Sequence, residues 1–503
     1  MAIPKEILAI KRPVNTVVVR YGKNGDRYGV RQRVGCKRVN GRNLPITGPT
    51  IGHIRNGVYV AIADERPEEG KSGGVIELKD WAAVIMADNV FKGVLFDLRE
   101  FYPEDEAVRL YCIAVLRVCY PGTKDYELKE LYEGSFLSEL YPGVALSKNT
   151  VSSFWKNLGK SYGRIIRFMR RRAEAICPNH HVLIDGTLKS DESKVNSLSD
   201  FSRKARLKGS RDISVLYAFD LDIGEPVCSQ CYPGNMLDIT AYEDFVSTCG
   251  VKRGVIVSDK GIPASAAEAH FKANPDLHYL NPIKRNAKFI DTHSMYDFEG
   301  VLSDRDGIQY KKAKVKGKNK FLYSFRDAAL AANEEKAYLA KAKKDGTYDN
   351  KAYLEERQSF GTVVFESDLD LKPEMVYKMY EERWEIEVVM RYYKSACEFD
   401  ETRVHNDYSV YGSEFCDFLS TVLTFRLIKA FDKAELMKKM TYSRIVDLLV
   451  RAKKIRIDDG EWRLVKINPS LETMLQQLDL LPRPDELPKR KPGRPKKPEP
   501  AIR

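Results

Sequence analysis

Two stretches, His181-Val-Leu-Ile-Asp185 and Gly254-Val-Ile-Val-Ser-Asp259, decide the fold. Each is a short apolar run that ends in an aspartate and is closely followed by glycine, Gly186 in one case and Gly261 in the other. Runs this short and this rich in β-branched residues read as strands buried on both faces of a sheet. A carboxylate at the C-terminal end of such a strand opens into the crevice where ligands sit in open α/β sheets. Around them, Ile213 to Asp220 and Glu225 to Tyr232 read as strands joined by an Asp222-Ile-Gly224 turn, and His278 to Ile283 as a further strand, with helices at 240–250 and 263–273. A hairpin followed by strand-helix alternation predicts an α/β fold, a mixed sheet flanked by helices.

Downstream, residues 286–357 are longer than an ordinary connection and read as an inserted subdomain. It carries short aromatic strands, Ile308 to Lys312 and Phe321 to Phe325, and a charged helix from Glu334 to Lys344. A strand, Phe360 to Phe365, then leads into a helix from Lys372 to about Ala396, and an apolar helix follows from Phe415 to Phe431. Upstream, residues 1–66 alternate at period two around Lys23-Asn-Gly25, a hairpin turn signal, and read as a basic β-rich module. Residues 67–178 read as helical, with an amphipathic core helix at 107–120. Within them Ser147 is placed to cap a short helix through Trp155, after a Pro142-Gly143 turn. This resembles the second half of a helix-turn-helix, whose first residues meet base edges; a plain helical pair is the other reading. The expected divisions are thus 1–66, 67–178, 179–285, 286–357, 358–435, a helical 436–482 and a disordered tail at 483–503.

The chain has 503 residues, 43% hydrophobic and 31% charged, with a net charge of +12. The charge sits at the ends: residues 1–43 carry +9, residues 483–503 carry +5, and the middle is −2. Basic ends around a nearly neutral body suit a protein that grips a polyanion by its extremities; solubilising charge is the alternative. No apolar run approaches the roughly 20 residues that span a bilayer, and the opening residues are too charged for a secretory signal, so no membrane partner is expected. Nine scattered cysteines form no disulfide framework. The pair Cys228 and Cys231, with no second pair and no histidine nearby, reads as strand filler rather than a zinc site. Together these predict a soluble cytoplasmic protein associated with the nucleoid.

The helix from 372 onward carries the sharpest chemical signal. Tyr380, Arg383, Glu387 and Lys394 are spaced by three, four and seven residues. At about 100° per residue they fall within an arc of about 60°, so the four side chains point the same way. A carboxylate flanked by cations and a phenol supplies an oxygen ligand for a metal and positive charge for a phosphodiester; a solvated face with ion pairs is the bland reading. Asp185 and Asp259 add two more hard oxygen ligands, at sequence separations of 74 and 128 residues that only a folded domain brings together. Three such carboxylates suit two Mg²⁺ or Mn²⁺ ions about 3.5 to 4 Å apart, which activate an attacking oxygen and stabilise a departing one.

This set resembles the DDE transposases of bacterial insertion sequences, the group with the signature Y-x2-R-x3-E-x6-K. Tyr380, Arg383, Glu387 and Lys394 match it at every specified position. Ile184-Asp-Gly-Thr187, Ser258-Asp-Lys-Gly261, Tyr232-Pro-Gly-Asn235 with Asp238, and Arg403-Val-His405 with Gly412 agree with the surroundings, so the likeness covers about 179–431. It implies an RNase H-like core with Asp185, Asp259 and Glu387 as catalytic metal ligands and an insertion before the Glu helix. It also implies that Arg383 and Lys394 hold the DNA backbone and Tyr380 a terminal phosphate. Relatives use a Trp in the insertion to stack a flipped base. The four Trp here, 81, 155, 384 and 462, all lie outside it, which leaves Tyr310, Phe321, Tyr323 or Phe325 for that part.

The tail adds Gly493-Arg494-Pro495 among cations, similar to an AT-hook that lies in a narrow A·T-rich minor groove; a generic basic tail is the alternative. Gly70-Lys71-Ser72 resembles a P-loop, but Glu65 stands where the earlier glycine belongs, and no nucleotide cofactor is expected. The resulting expectation is a metal-dependent transposase, with endonuclease and strand-transfer steps, that binds the terminal inverted repeats of its element as a homodimer, takes element ends and target as double-stranded DNA, and moves by cut and paste. A non-catalytic DNA-binding regulator derived from such an enzyme is the rival.

Overall fold

The computed structural model describes residues 3–21, 27–39, 42–55, 57–62, 76–191, 193–202, 210–236, 238–257, 267–381, 401–402, 404–458 and 460–483. The chain divides into two compact units, Met1–Glu77 with Ile457–Gly460, and the remainder.

In the first unit a short helix α1 (Lys5–Ala9) precedes an antiparallel meander of β1 (Thr16–Tyr21), β2 (Arg27–Val39), β3 (Arg42–Arg55) and β4 (Val58–Ala61), paired in chain order. Its core is small: Val18, Val30 and Ile54 are buried against Ile7, Ile10 and Tyr59. The expected Lys23-Asn-Gly25 turn lies outside the described residues; the strands it joins end in the register Tyr21↔Arg27.

The second unit opens, after β5 (Ile76–Asp80), with helices α2 (Ala82–Arg99), α3 (Glu104–Cys119), α4 (Leu128–Glu133), α5 (Leu137–Leu140), α6 (Lys148–Lys160) and α7 (Tyr162–Ala173). α3 follows Pro103 and places Glu104, Asp105 and Glu106 in its first turn, where the helix dipole favours negative charge. Ten of its residues are buried, as its apolar stripe requires. Then come β6 (His181–Ser190), β7 (Asp200–Phe201), β8 (Arg211–Asp220), β9 (Glu225–Pro233), α8 (Asp238–Cys249), β10 (Gly254–Val257), α9 (Glu268–Ala273) and β11 (Leu277–Ile283). After α10 (Lys288–Thr292) follow β12 (Gly300–Val301), β13 (Ile308–Lys314), β14 (Phe321–Asp327), α11 (Ala328–Asp345), α12 (Asn350–Arg357) and β15 (Thr362–Ser367). The described part of the next helix, α13, is 373–381.

Among the described residues ten strands make one mixed sheet in the order β12-β13-β14-β15-β11-β10-β6-β8-β7, with β9 also paired to β8. β6, β10 and β11 run parallel at its centre, and the other pairings are antiparallel. The stretch 286–357 thus contributes β12, β13 and β14 to the same sheet, beyond β15.

A long helix α14 (Asp407–Lys433) packs against α2, α3, α6, α7 and β9. It starts eight residues before the expected Phe415, because Asn406 caps it by accepting from the Ser409 N–H at 3.0 Å. The polar composition of 407–414 hides this start from a hydrophobicity pattern. α15 (Tyr442–Val450), β16 (Lys453–Ile457), β17 (Arg463–Leu464) and α16 (Pro469–Gln477) complete the fold. Among the described residues no helix is long and apolar enough to cross a membrane. The tail with Gly493, Arg494 and Pro495 lies outside the described residues.

Candidate active site

Val182, Leu183 and Ile184 are buried because β6 is covered on both faces and paired on both edges, with β10 on one side and β8 on the other. Asp185 does not end the strand, as the apolar run led one to expect, but sits in the middle of β6 opposite Tyr217. It is half-buried, Gly186 is exposed, burial resumes at Thr187 and Lys189, and Asp185 Oδ1 accepts from the Gly186 N–H at 2.9 Å. The adjacent parallel ladder pairs Val255 with His181, Ile256 with Val182 and Val257 with Leu183. Val257 and Leu183 each stand two residues before an aspartate in the sequence, Asp259 and Asp185. Asp259 lies outside the described residues.

Tyr380 sits on α13, half-buried, its ring edge-on to Phe365 at 5.5 Å and 6.0 Å from Tyr377. Val376, Tyr377 and Met379 are buried, so Tyr380 borders the buried face of its helix. The following Glu381 receives Arg305 at 2.8 Å, tying the stretch before β13 to this helix. Arg383, Glu387 and Lys394 lie outside the described residues. Among the described residues no three His, Cys, Asp or Glu side chains are grouped to hold a metal ion, and of the three expected ligands only Asp185 is among them.

Sequence reasoning missed Lys189. It lies four residues after Asp185, hence on the same face of β6, and is only 1% exposed. Its ammonium pairs with Glu414 at 2.5 Å and Asp417 at 2.8 Å on α14. Asp417 also takes Arg117 at 2.6 Å, Arg117 reaches Asp125 at 3.2 Å, and Asp125 accepts from Trp155 Nε1 at 2.9 Å. A continuous polar chain therefore runs from the strand of Asp185 through α14 and α3 to α6. Burial alone would depress the Lys189 ammonium, but Asp417 and Glu414 reverse that and hold it above its ordinary value. Burial pushes the Glu414 carboxyl up, with Lys189 opposing and Asp417 adding to the rise. The chain borders a cavity of about 550 Å³ lined by Arg117, Lys124, Asp125, Tyr126, Lys148 and Trp155 among others. The signal in the sequence was a lysine within an otherwise apolar strand and a Glu-x-x-Asp pair within an apolar helix.

α6 is capped by Ser147, whose hydroxyl accepts from the Thr150 N–H at 3.4 Å. It is pressed against α14 backbone to backbone: a Cβ on Gly159 would lie 1.7 Å from the Tyr408 carbonyl oxygen, and one on Gly412 would lie 2.2 Å from that of Trp155. The opposite face, with Lys148, Asn149, Ser152, Ser153, Lys156, Asn157 and Lys160, is exposed, and no acidic residue occurs from 148 to 173.

The expected stacking aromatics are corrected by their burial. Phe321, Tyr323 and Phe325 are 5%, 0% and 1% exposed, and the Tyr323 hydroxyl is occupied by the Leu369 carbonyl and the Leu371 N–H. None of the three offers a free ring face. Tyr310 is half-buried, with its ring under Gly300. Cys228 and Cys231 are both buried on β9, against Ala218 and Val215 of β8. The imidazoles of His180 and His181 pair with Asp220 and Asp222 at 2.7 and 3.0 Å.

Among the described residues, the site consists of Asp185 on the middle of β6, a central strand of a helix-flanked mixed sheet. Residues 179–410 match the family described as Transposase DDE domain. Among solved structures the chain is similar to the piggyBac transposase in a synaptic complex with hairpin DNA. The identity is 10%, over 73% of this chain and 79% of that one, and the TM-score is 0.38. No curated protein gives a significant match.

Proposed function

We propose that the chain is a DDE transposase of a bacterial insertion sequence, of the group with the Y-x2-R-x3-E-x6-K signature. It binds the terminal inverted repeats of its element, then cuts and joins DNA strands by cut and paste, as a homodimer on paired ends. The observation that carries this is the register of the central strands. In a region matched as a transposase DDE domain, the last described pair of the β6–β10 ladder stands two residues short of Asp185 and of Asp259.

Asp185, Asp259 and Glu387 would hold two Mg²⁺ or Mn²⁺ ions. The donor set suits them: hard carboxylate oxygens, with the one that is described lying half-buried in the middle of β6 beside exposed Gly186. When bound, such ions lower the pKa of a ligated water and stabilise a departing oxygen. In cleavage, the oxygen of a water attacks phosphorus, the bond from phosphorus to the 3′ oxygen breaks, and that oxygen leaves and takes up a proton. In joining, the freed 3′-hydroxyl attacks a target phosphodiester in the same sense. Arg383 and Lys394 neutralise the DNA backbone near the scissile group, and Tyr380 binds a terminal phosphate through its hydroxyl. The domain divisions stated from the sequence, with an inserted 286–357 and an AT-hook-like tail at Gly493-Arg494-Pro495, belong to the same proposal. The exposed, acid-free face of α6 supports a share for that helix in holding DNA.

The test uses purified full-length protein, Mg²⁺ and a plasmid carrying the DNA that flanks the gene. Asp185→Asn and Glu387→Gln are expected to abolish cleavage while duplex binding stays within about twofold of wild type. Cutting by either variant at the wild-type rate would overturn the assignment. Binding without cleavage by the wild type itself would favour the regulator.

A further inference from the structure

The β2–β3 hairpin outruns the sheet that holds it. β1 pairs with β2 only over Arg27–Gln32, and β4 pairs with β3 only over Gly52–Arg55. β2 and β3 go on pairing with each other from Arg33↔Thr47 to Val39↔Arg42. The seven residues Arg33–Val39 and their partners form a two-stranded ribbon, about 23 Å long at about 3.3 Å per residue. The buried core of this unit, Val18, Val30 and Ile54, lies at the base of the ribbon and not along it.

Along the ribbon Val34, Leu44 and Ile46 are 60%, 44% and 44% exposed. Bare two-stranded ribbons with open apolar side chains are marginal in water and gain from being covered. Arg31, Arg33, Lys37 and Arg38 are exposed beside them. From Arg27 to Arg55 the sequence holds seven Lys or Arg and no Asp or Glu. One or two cations suffice to keep a strand edge from pairing with another chain. A run of seven cations without a single acid is a positively charged segment that attracts polyanions.

We propose that this ribbon enters the major groove of double-stranded DNA. That groove, about 12 Å wide, admits a two-stranded β-ribbon. Arg31, Arg33, Lys37 and Arg38 then meet phosphates, the exposed amides of Gln32 and Asn43 face base edges, and Val34 and Ile46 meet thymine methyls. The choice of DNA over another polyanion rests on the reading of the chain as a transposase; the charge and shape of the ribbon do not.

The test measures binding of the full chain to a mixed-sequence duplex of about 30 base pairs by fluorescence anisotropy, as a function of salt. Removing one phosphate-binding cation lowers the slope of log affinity against log salt by about 0.9. The variant R31A/R33A/K37A/R38A is expected to lose about 3.6 in slope and at least about tenfold in affinity. The matched set R31K/R33K/K37R/R38K, which keeps every charge, is expected to keep the slope. An alanine variant whose slope and affinity equal wild type would overturn the proposal, and so would loss of slope in the charge-conserving set. If the alanine set does not fold, as judged by thermal melting, the single reversal Arg33→Glu replaces it, with a loss of about 1 to 2 in slope expected and an unchanged slope refuting. A duplex RNA, whose deep narrow major groove excludes a ribbon, is expected to bind at least about tenfold more weakly than DNA; equal binding would overturn groove insertion. Cleavage is read separately. A ribbon variant with lowered slope together with an Asp185→Asn protein that still cuts would sink the catalytic assignment and leave the ribbon standing.

Discussion

Lys189→Met tests the buried polar chain behind the candidate site. Methionine keeps the length of the side chain, so the change removes an ammonium without opening a cavity. Glu414 and Asp417 lose the cation at 2.5 and 2.8 Å, while Asp417 keeps Arg117 at 2.6 Å. Breaking a buried pair from one side costs about 3 to 5 kcal/mol, a large part of the roughly 5 to 15 kcal/mol that holds a domain folded. Urea unfolding at about pH 7, followed by tryptophan fluorescence, reads the loss, and Trp155 reports it through its bond to Asp125. The pH dependence carries a sign. The Glu414 carboxyl is held above its ordinary 4.5 in the folded state, so its contribution is complete below that value and is lost as pH rises through the folded value. Removing Lys189 takes away the group that opposes this rise. The deficit of the variant is therefore expected to shrink toward pH 4.5 and grow toward neutrality. Adding Glu414→Gln, which removes the uncompensated charge, is expected to restore part of the stability at about pH 7. A deficit below about 1 kcal/mol, or one that does not vary with pH, would refute the reasoning.

Two further outcomes are expected. Gly412→Ala places a methyl 2.2 Å from the Trp155 carbonyl oxygen, and it should cost about 1 to 3 kcal/mol by prising α6 from α14; an unchanged melting temperature would count against the close helix contact. Lys148→Ala, Lys156→Ala and Lys160→Ala together should lower the salt slope of duplex binding by about 2.7 with little change in melting temperature, and an unchanged slope would remove α6 from the DNA surface.

Features set by neighbouring residues are legible in the amino-acid sequence. The apolar run at Val182-Leu-Ile184, the stripe of α3 and the Ser147 cap each follow from side chains within a few positions of one another, and each forms as read. Asp185 stands out because a carboxylate following directly on a buried apolar run has few structural reasons to be there. Lys189 does not, since its partners Glu414 and Asp417 are more than 220 residues away in the chain and meet it only when α14 packs on the sheet. The aromatics of β13 and β14 are misread for a related reason. An aromatic strand looks the same whether its rings face solvent or a core, and only the packing against that face, with Tyr377 of α13 5.2 Å from Phe325 and the Leu369 and Leu371 backbone at the Tyr323 hydroxyl, decides that Phe321, Tyr323 and Phe325 are enclosed.

The sequence by itself determined where the charge lies and the main strands and helices of the core, because periodicity, capping and composition act over short distances. It missed that β6 continues past Asp185 to Ser190, that β5 opens the region read as helical, and that the region 436–482, read as helical, holds β16 and β17. Only the tertiary structure decided that β6 and β10 are parallel neighbours in matched register, and that β12 to β14 extend the same sheet. It alone decided, too, that a lysine on the strand of Asp185 is neutralised from α14. These depend on which surfaces meet when the chain collapses, and the free energy of burying a charge or pairing a strand edge is set by the partner, which no local pattern names.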